Sequence, residues 1–175
     1  PEEALPCFQK AFRQDRSPYL VRQMVRALRE LERYEEALDH LDNTPAGTEN
    51  DPFLLKERAL ILKRLNRQEE ALQLYERLHD LLPEDAFVRK ELYNLKSTAR
   101  PENEVIEELE AVLRLPSRKD DPQLYGLLAQ KLKEAGKVKE AASAFRKAWH
   151  LSDDNVFFLK QAGFCHYRLG EREKA

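Results

Sequence analysis

A repeat of 34 residues runs through the chain and constrains its fold more than any single residue does. Alanines preceded by Glu-Glu or Lys-Glu stand at Ala4, Ala37, Ala71 and Ala141, with Ala175 after Glu-Lys, and both Ala37 to Ala71 and Ala141 to Ala175 span 34 residues. Four residues after the alanine comes an aromatic or a leucine: Phe8, Leu41, Tyr75 and Phe145. A unit this short cannot bury its own apolar face, so self-similarity at this period implies a solenoid in which each unit stacks on its neighbours.

Counting each repeat from 19 residues before its alanine places full repeats at Pro18, Pro52 and Pro122, an irregular one from about Ala86 and a truncated one from Val156. In the repeat from Pro52, Leu55, Ala59 and Leu62 share one stripe of a first helix, and Ala71, Tyr75 and Leu78 share one stripe of a second. Asn66-Arg67-Gln68 turns between them, and Pro83 stops the second helix. The repeat from Pro122 echoes this with Tyr125, Leu128, Ala129 and Leu132, then Gly136, then Ala141, Phe145 and Ala148. Prolines open the first helices, Asp51 and Asp121 are positioned as N-caps, and Gly136 and Gly170 mark turns.

This pattern resembles the tetratricopeptide repeat. Position 8 holds the small residues Ala59, Ala129 and Gly163, position 20 the alanines, position 24 Phe8, Leu41, Tyr75, Leu109 and Phe145, and position 32 Pro83. The resemblance implies an all-α fold, a right-handed α-solenoid of stacked antiparallel helix pairs forming a superhelix. The boundaries follow: 1–17 the second helix of a truncated repeat, then repeats at 18–51, 52–85, 86–121 (irregular) and 122–155, and a truncated repeat at 156–175.

Three departures stand out. Pro6 falls inside a helix expected to start near Glu2, which predicts a loose or kinked first turn. The run Asp42-Asn43-Thr44-Pro45-Ala46-Gly47 should end the second helix of the first full repeat early. In the irregular repeat, Arg89 and Lys96 are poor core residues at positions 4 and 11. Sliding that helix back by one turns Val88, Leu92 and Leu95 inward, with one extra residue absorbed near Ser97-Thr98-Ala99-Arg100-Pro101 and another in Pro116-Ser117-Arg118-Lys119-Asp120. The sequence opens in one second helix and stops as another begins, which reads as an excerpt of a longer array.

No catalytic chemistry is legible. The glycines form no phosphate-binding loop, the four histidines lie in different repeats, and Cys7 and Cys165 have no partner at metal-ligand spacing. An enzyme, a cofactor and a metal site are not expected. Two free thiols fit a reducing, cytoplasmic setting. No stretch approaches the roughly 18 apolar residues of a membrane span.

Function is expected on the concave face that first helices line in the family this chain resembles. Although the whole chain is −2, the first helices carry +9 and everything else −11. Such separation focuses a field in a groove. Position 2 reads Tyr19, Phe53, Phe87, Gln123 and Phe157, and position 5 reads Arg22, Lys56, Lys90, Gly126 and Lys160. Position 9 adds Arg26, Leu60 and Phe164, and position 12 adds Arg29, Lys63, Lys133 and Tyr167. Aromatics beside cations suit a protein or peptide segment that is acidic and partly apolar, making the chain a protein–protein interaction scaffold. The alternative occupant of the groove is a single-stranded nucleic acid, against which the acidic back and a pI near 6.2 argue. Self-association through exposed end repeats is a third expectation. The slide would replace Phe87 and Lys90 by Ala86 and Arg89. The family's chaperone-tail clamp is not matched, because its asparagines are missing and Glu57 would repel a carboxylate.

Overall fold

The helix pairs implied by the repeat are present in the computed structural model, which describes residues 3–15, 17–44, 47–153 and 155–170. Their order is α1 (Ala4–Gln14), α2 (Pro18–Glu30), α3 (Tyr34–Asp42), α4 (Pro52–Arg64), α5 (Gln68–Leu81), α6 (Ala86–Ala99), α7 (Glu102–Leu113), α8 (Pro122–Glu134), α9 (Val138–Leu151) and α10 (Val156–Arg168). Even-numbered helices are first helices. Ala175, Pro45 and Ala46 lie outside the described residues.

Local chemistry sets the boundaries. Asp51 Oδ1 accepts from the amides of Phe53 and Leu54 at 2.9 and 3.3 Å, and Asp121 Oδ1 does the same for Gln123 and Leu124 at 2.9 and 3.1 Å. Two caps not anticipated from the sequence complete the set: Asp85 for α6 and Asn155 for α10. The turn from first to second helix puts one residue in the left-handed region at the same place in four repeats: Glu32 (φ 59°), Asn66 (59°), Gly136 (76°) and Gly170 (75°). As anticipated, α3 ends early, with 9 residues against 14 in α5 and α9.

Pro6 is accommodated at the start of α1. The helix begins at Ala4, so Pro6 lies in its first turn, where an amide has no intrahelical acceptor to lose.

The chain divides into two compact units, Pro1–Leu95 and Lys96–Ala175. In the first, successive helices from α1 to α5 pack on one another and α2 also packs on α4. Val25, Leu28, Ala37, Ala59, Ile61, Ala71, Tyr75 and Val88 are buried in one core. In the second, α8 packs on α7 and α9, and α9 on α10. Its buried residues include Val105, Leu109, Ala129, Ala141, Phe145, Ala148, Phe158 and Cys165. In the interior repeats the small residues at positions 8 and 20 are fully covered, as a close helix crossing requires: Ala37, Ala59, Ala71, Ala129 and Ala141 are each 0% exposed, while Ala4 and Gly163 in the outermost repeats are half-buried.

The irregular repeat is corrected. Val88, Leu92 and Leu95 are buried as expected, but α6 has not slid, because Arg89 at position 4 is buried too. Tyr93 takes the position-8 slot and is also buried. Lys96 resolves its poor fit by reaching Glu108 of α7 at 2.6 Å. The 34-residue register runs unbroken into α7, which starts at position 17 like α3, α5 and α9. Both extra residues therefore fall after Leu113, before Asp121 caps α8.

Candidate interaction surface

In the first unit, the capping aspartates do two jobs. Asp51 caps α4 and also pairs with Arg22 of α2, while Asp85 caps α6 and also pairs with Lys56 of α4 at 2.8 Å. Burial pushes the Asp51 carboxyl up, but the Arg22 guanidinium and the Leu54 and Phe53 amides outweigh it and hold the group below its ordinary value. Asp85 shows the same balance, with Lys56 and the Val88 and Phe87 amides prevailing over burial. The same cations lie over the next aromatic: Arg22 over Phe53 and Lys56 over Phe87, each 5.5 Å from the ring centroid.

A second rung lies one helical stretch further on. Arg29 meets Glu57 at 2.5 Å, and Lys63 meets Glu91. The cations at positions 5 and 12 of one first helix are thus tied to the cap and position 6 of the next. Four expected groove residues, Arg22, Arg29, Lys56 and Lys63, are committed to holding repeats together, and Phe53 is half-buried beneath Arg22. The signal was present in the sequence as a carboxylate 29 residues after Arg22 and Lys56 and 28 after Arg29 and Lys63. Counting charge by helix missed it, because a net sum hides which carboxylate faces which cation and the window left out the caps. Including Asp51, Asp85 and Asp121 lowers the first-helix excess from +9 to +6.

What remains open in this unit is Tyr19 (64% exposed), Phe87 (42%), Lys90, and Arg26, which reaches only Glu30 of its own helix at 3.3 Å. Leu60 is half-buried. Phe87 and Lys90 therefore keep their places on the first-helix face, and Arg89 does not join them.

The second unit replaces part of the charge with aromatic surface. Lys133 of α8 bonds Gln161 of α10 at 3.0 Å, an amide where the first unit has a carboxylate. Gly126 stands at position 5, and a Cβ there would come within 2.4 Å of the Phe158 ring, so the glycine admits that ring. Along α10, Phe157, Phe164 and Tyr167 are all more than half exposed. Lys160 is exposed and carries no ion pair among the described residues.

Other features give no reactive site. Cys7 is exposed and Cys165 buried, both free, and burial raises the Cys165 thiol pKa. His166 is buried, as its position-11 slot implies. No helix is long and apolar enough to cross a membrane, and among the described residues no His, Cys, Asp or Glu cluster is placed to hold a metal.

No family model matches the chain, and no curated protein sequence matches it. Solved structures do. The C-terminal part of a TPR repeat-containing protein from Cytophaga hutchinsonii matches at TM-score 0.73 and 17% identity, over 97% of this chain and 66% of that one. YrrB, described as a TPR protein with an unusual peptide-binding site, matches at TM-score 0.60 and 16% identity, over 95% and 86%. MamA from Desulfovibrio magneticus RS-1 matches at TM-score 0.59 and 20% identity, over 89% and 86%. The chain thus has the tetratricopeptide-repeat fold, an all-α helical-repeat solenoid.

Proposed function

We propose that this chain is a protein–protein interaction scaffold whose first-helix faces take an acidic, partly apolar segment of a partner protein. One observation carries the reading. Of nine exposed large hydrophobic side chains among the described residues, five are aromatics at first-helix positions 2, 9 and 12: Tyr19, Phe87, Phe157, Phe164 and Tyr167. Exposed aromatics recurring at the same first-helix positions in each unit are surface held ready for a partner. Beside them, Arg26, Lys90 and Lys160 keep the positive charge that the inter-repeat pairs leave over. YrrB's peptide-binding site is consistent with such a role for this fold.

The ion pairs also weigh against single-stranded nucleic acid, because they neutralise four cations that a phosphate backbone would need. Selection of displayed peptides against the chain tests the reading. Peptides rich in Asp or Glu and aliphatic residues should be enriched, and Phe157→Ala or Phe164→Ala should speed their release while Glu69→Lys on a second helix leaves them unchanged. Equal loss from Phe157→Ala and Glu69→Lys would refute it. Binding of a single-stranded oligonucleotide at moderate salt would favour the alternative, and light scattering on the free chain reports self-association.

A further inference from the structure

The second helices do not all carry the same charge. Within their bounds α3, α5 and α7 have net charges of −4, −3 and −5, whereas α9 has +2. The reversal falls on equivalent positions of the repeat. Positions 18, 22 and 25 read Glu35, Asp39 and Asp42 in α3 and Glu69, Gln73 and Glu76 in α5, all exposed. In α9 they read Lys139, Ser143 and Arg146, and His150 stands at position 29, where α5 has Asp80. Spacings of four, three and four residues set these exposed side chains on one stripe of α9, while Ala141, Phe145 and Ala148 are buried in the core.

The protein itself makes little use of this stripe. Lys139 and Arg146 have no ion pair among the described residues. Lys147 beside them lies over the Tyr125 ring, 4.4 Å from its centroid. At the head of the helix, Lys137 donates to Asn103 Oδ1 of α7 at 2.9 Å, an uncharged acceptor. Its equivalents Arg33 and Arg67 instead grip Glu36 and Glu70, each at 2.6 Å. Glu140 is the one carboxylate within α9, set against Lys139, Arg146 and Lys147. The helix dipole explains cations late in α9, but it opposes Lys139 in the first turn, where α3 and α5 place Glu35 and Glu69.

We propose that the outer stripe of α9 is a docking surface for an acidic helix of a partner protein. The carboxylates of that helix repeat at the spacing of Lys139, Ser143, Arg146 and His150. Exposed ion pairs are individually weak, so matched register, rather than total charge, supplies the selectivity. A nucleic acid or an anionic lipid surface extends beyond one helix. There it meets exposed Glu102, Glu104 and Glu107 of α7, whose start Lys137 ties to the start of α9. The surface lies on a second helix and is independent of the first-helix face.

NMR titration of the whole chain with two alanine-based helical peptides tests it. One carries glutamates at i, i+4, i+7 and i+11, and the other has the same composition with its glutamates spread around the helix. In about 0.05 M salt the striped peptide should shift Lys139, Arg146 and His150 saturably at about 0.1–1 mM. The isomer should bind at least about three-fold more weakly, and about 0.5 M salt should remove most of the binding of both. Joint Lys139→Glu and Arg146→Glu substitution should abolish binding, while Lys90→Glu on the first-helix face leaves it unchanged. Equal binding of the two peptides, or shifts confined to Phe157 and Phe164, would overturn the proposal. Tighter binding of a single-stranded oligonucleotide or of phosphatidylserine vesicles at these residues would overturn the choice of a protein helix. Self-association of the free chain that the double substitution abolishes would assign the stripe to a second copy instead. The comparison of the two peptides needs no variant, so it decides even if the double variant misfolds.

Discussion

Gly126 shows how one residue reports its neighbour. At position 5 the other first helices carry Arg22, Lys56, Lys90 or Lys160, and here a glycine makes room for Phe158 of α10. Phe158 is itself buried, so its ring has little space to retreat. Gly126→Ala should therefore destabilise the chain by about 1–3 kcal/mol from overpacking, more than the roughly 1 kcal/mol that alanine gains over glycine in a helix. A higher melting temperature in that variant would show that Phe158 yields freely. Tyr75 makes the opposite case. It is fully buried, its hydroxyl has no hydrogen-bond partner among the described residues, and burial pushes its pKa up. Tyr75→Phe should leave stability unchanged or raise it by up to about 1 kcal/mol, measured by urea denaturation.

At the scale of elements, the turn between paired helices sets a backbone demand that the repeat meets unevenly. The left-handed residue is glycine in two repeats, asparagine in one and glutamate in another, and exposed Glu32 bears the largest steric cost. Glu32→Gly should stabilise by about 0.5–1 kcal/mol, and Gly136→Ala should cost a similar amount, both read from thermal melting. These turns also explain which elements could be read from the sequence. The 34-residue period and its small residues located every first and second helix, because close crossings admit only Ala or Gly. The register of α6 was misread for a physical reason. Arg89 and Lys96 look unfit for burial, yet a long side chain can bury its stem and still satisfy its charge, as Lys96 does on Glu108.

Across the whole molecule, cations expected to serve a partner prove in four places to serve the scaffold, since Arg22, Arg29, Lys56 and Lys63 pair with carboxylates of the next repeat. The exposed aromatics of the proposed surface could be placed from the sequence, because positions 2, 9 and 12 follow from the repeat. The state of its cations could not be read there, because pairing depends on a carboxylate one repeat away. Lys63→Glu should consequently lower stability by setting two carboxylates together, and Glu91→Lys in the same chain should restore part of the loss. The paired caps add a pH dependence. Asp51 and Asp85 have folded pKa values below their ordinary ones, so each favours the folded state wherever it is ionised. That contribution is complete above the unfolded pKa of about 3.9 and is lost as pH falls through the lower folded values. Melting temperature should therefore hold steady from about pH 7 to 5 as far as these groups are concerned, then drop below about pH 4. Replacing both aspartates by asparagine keeps a side chain that can cap while removing the ion pairs. The doubly substituted chain should be less stable at neutral pH, and its stability should fall less steeply on acidification. An acid profile unchanged by the two substitutions would mean that the carboxylates binding repeat to repeat do not set the acid limit of the fold.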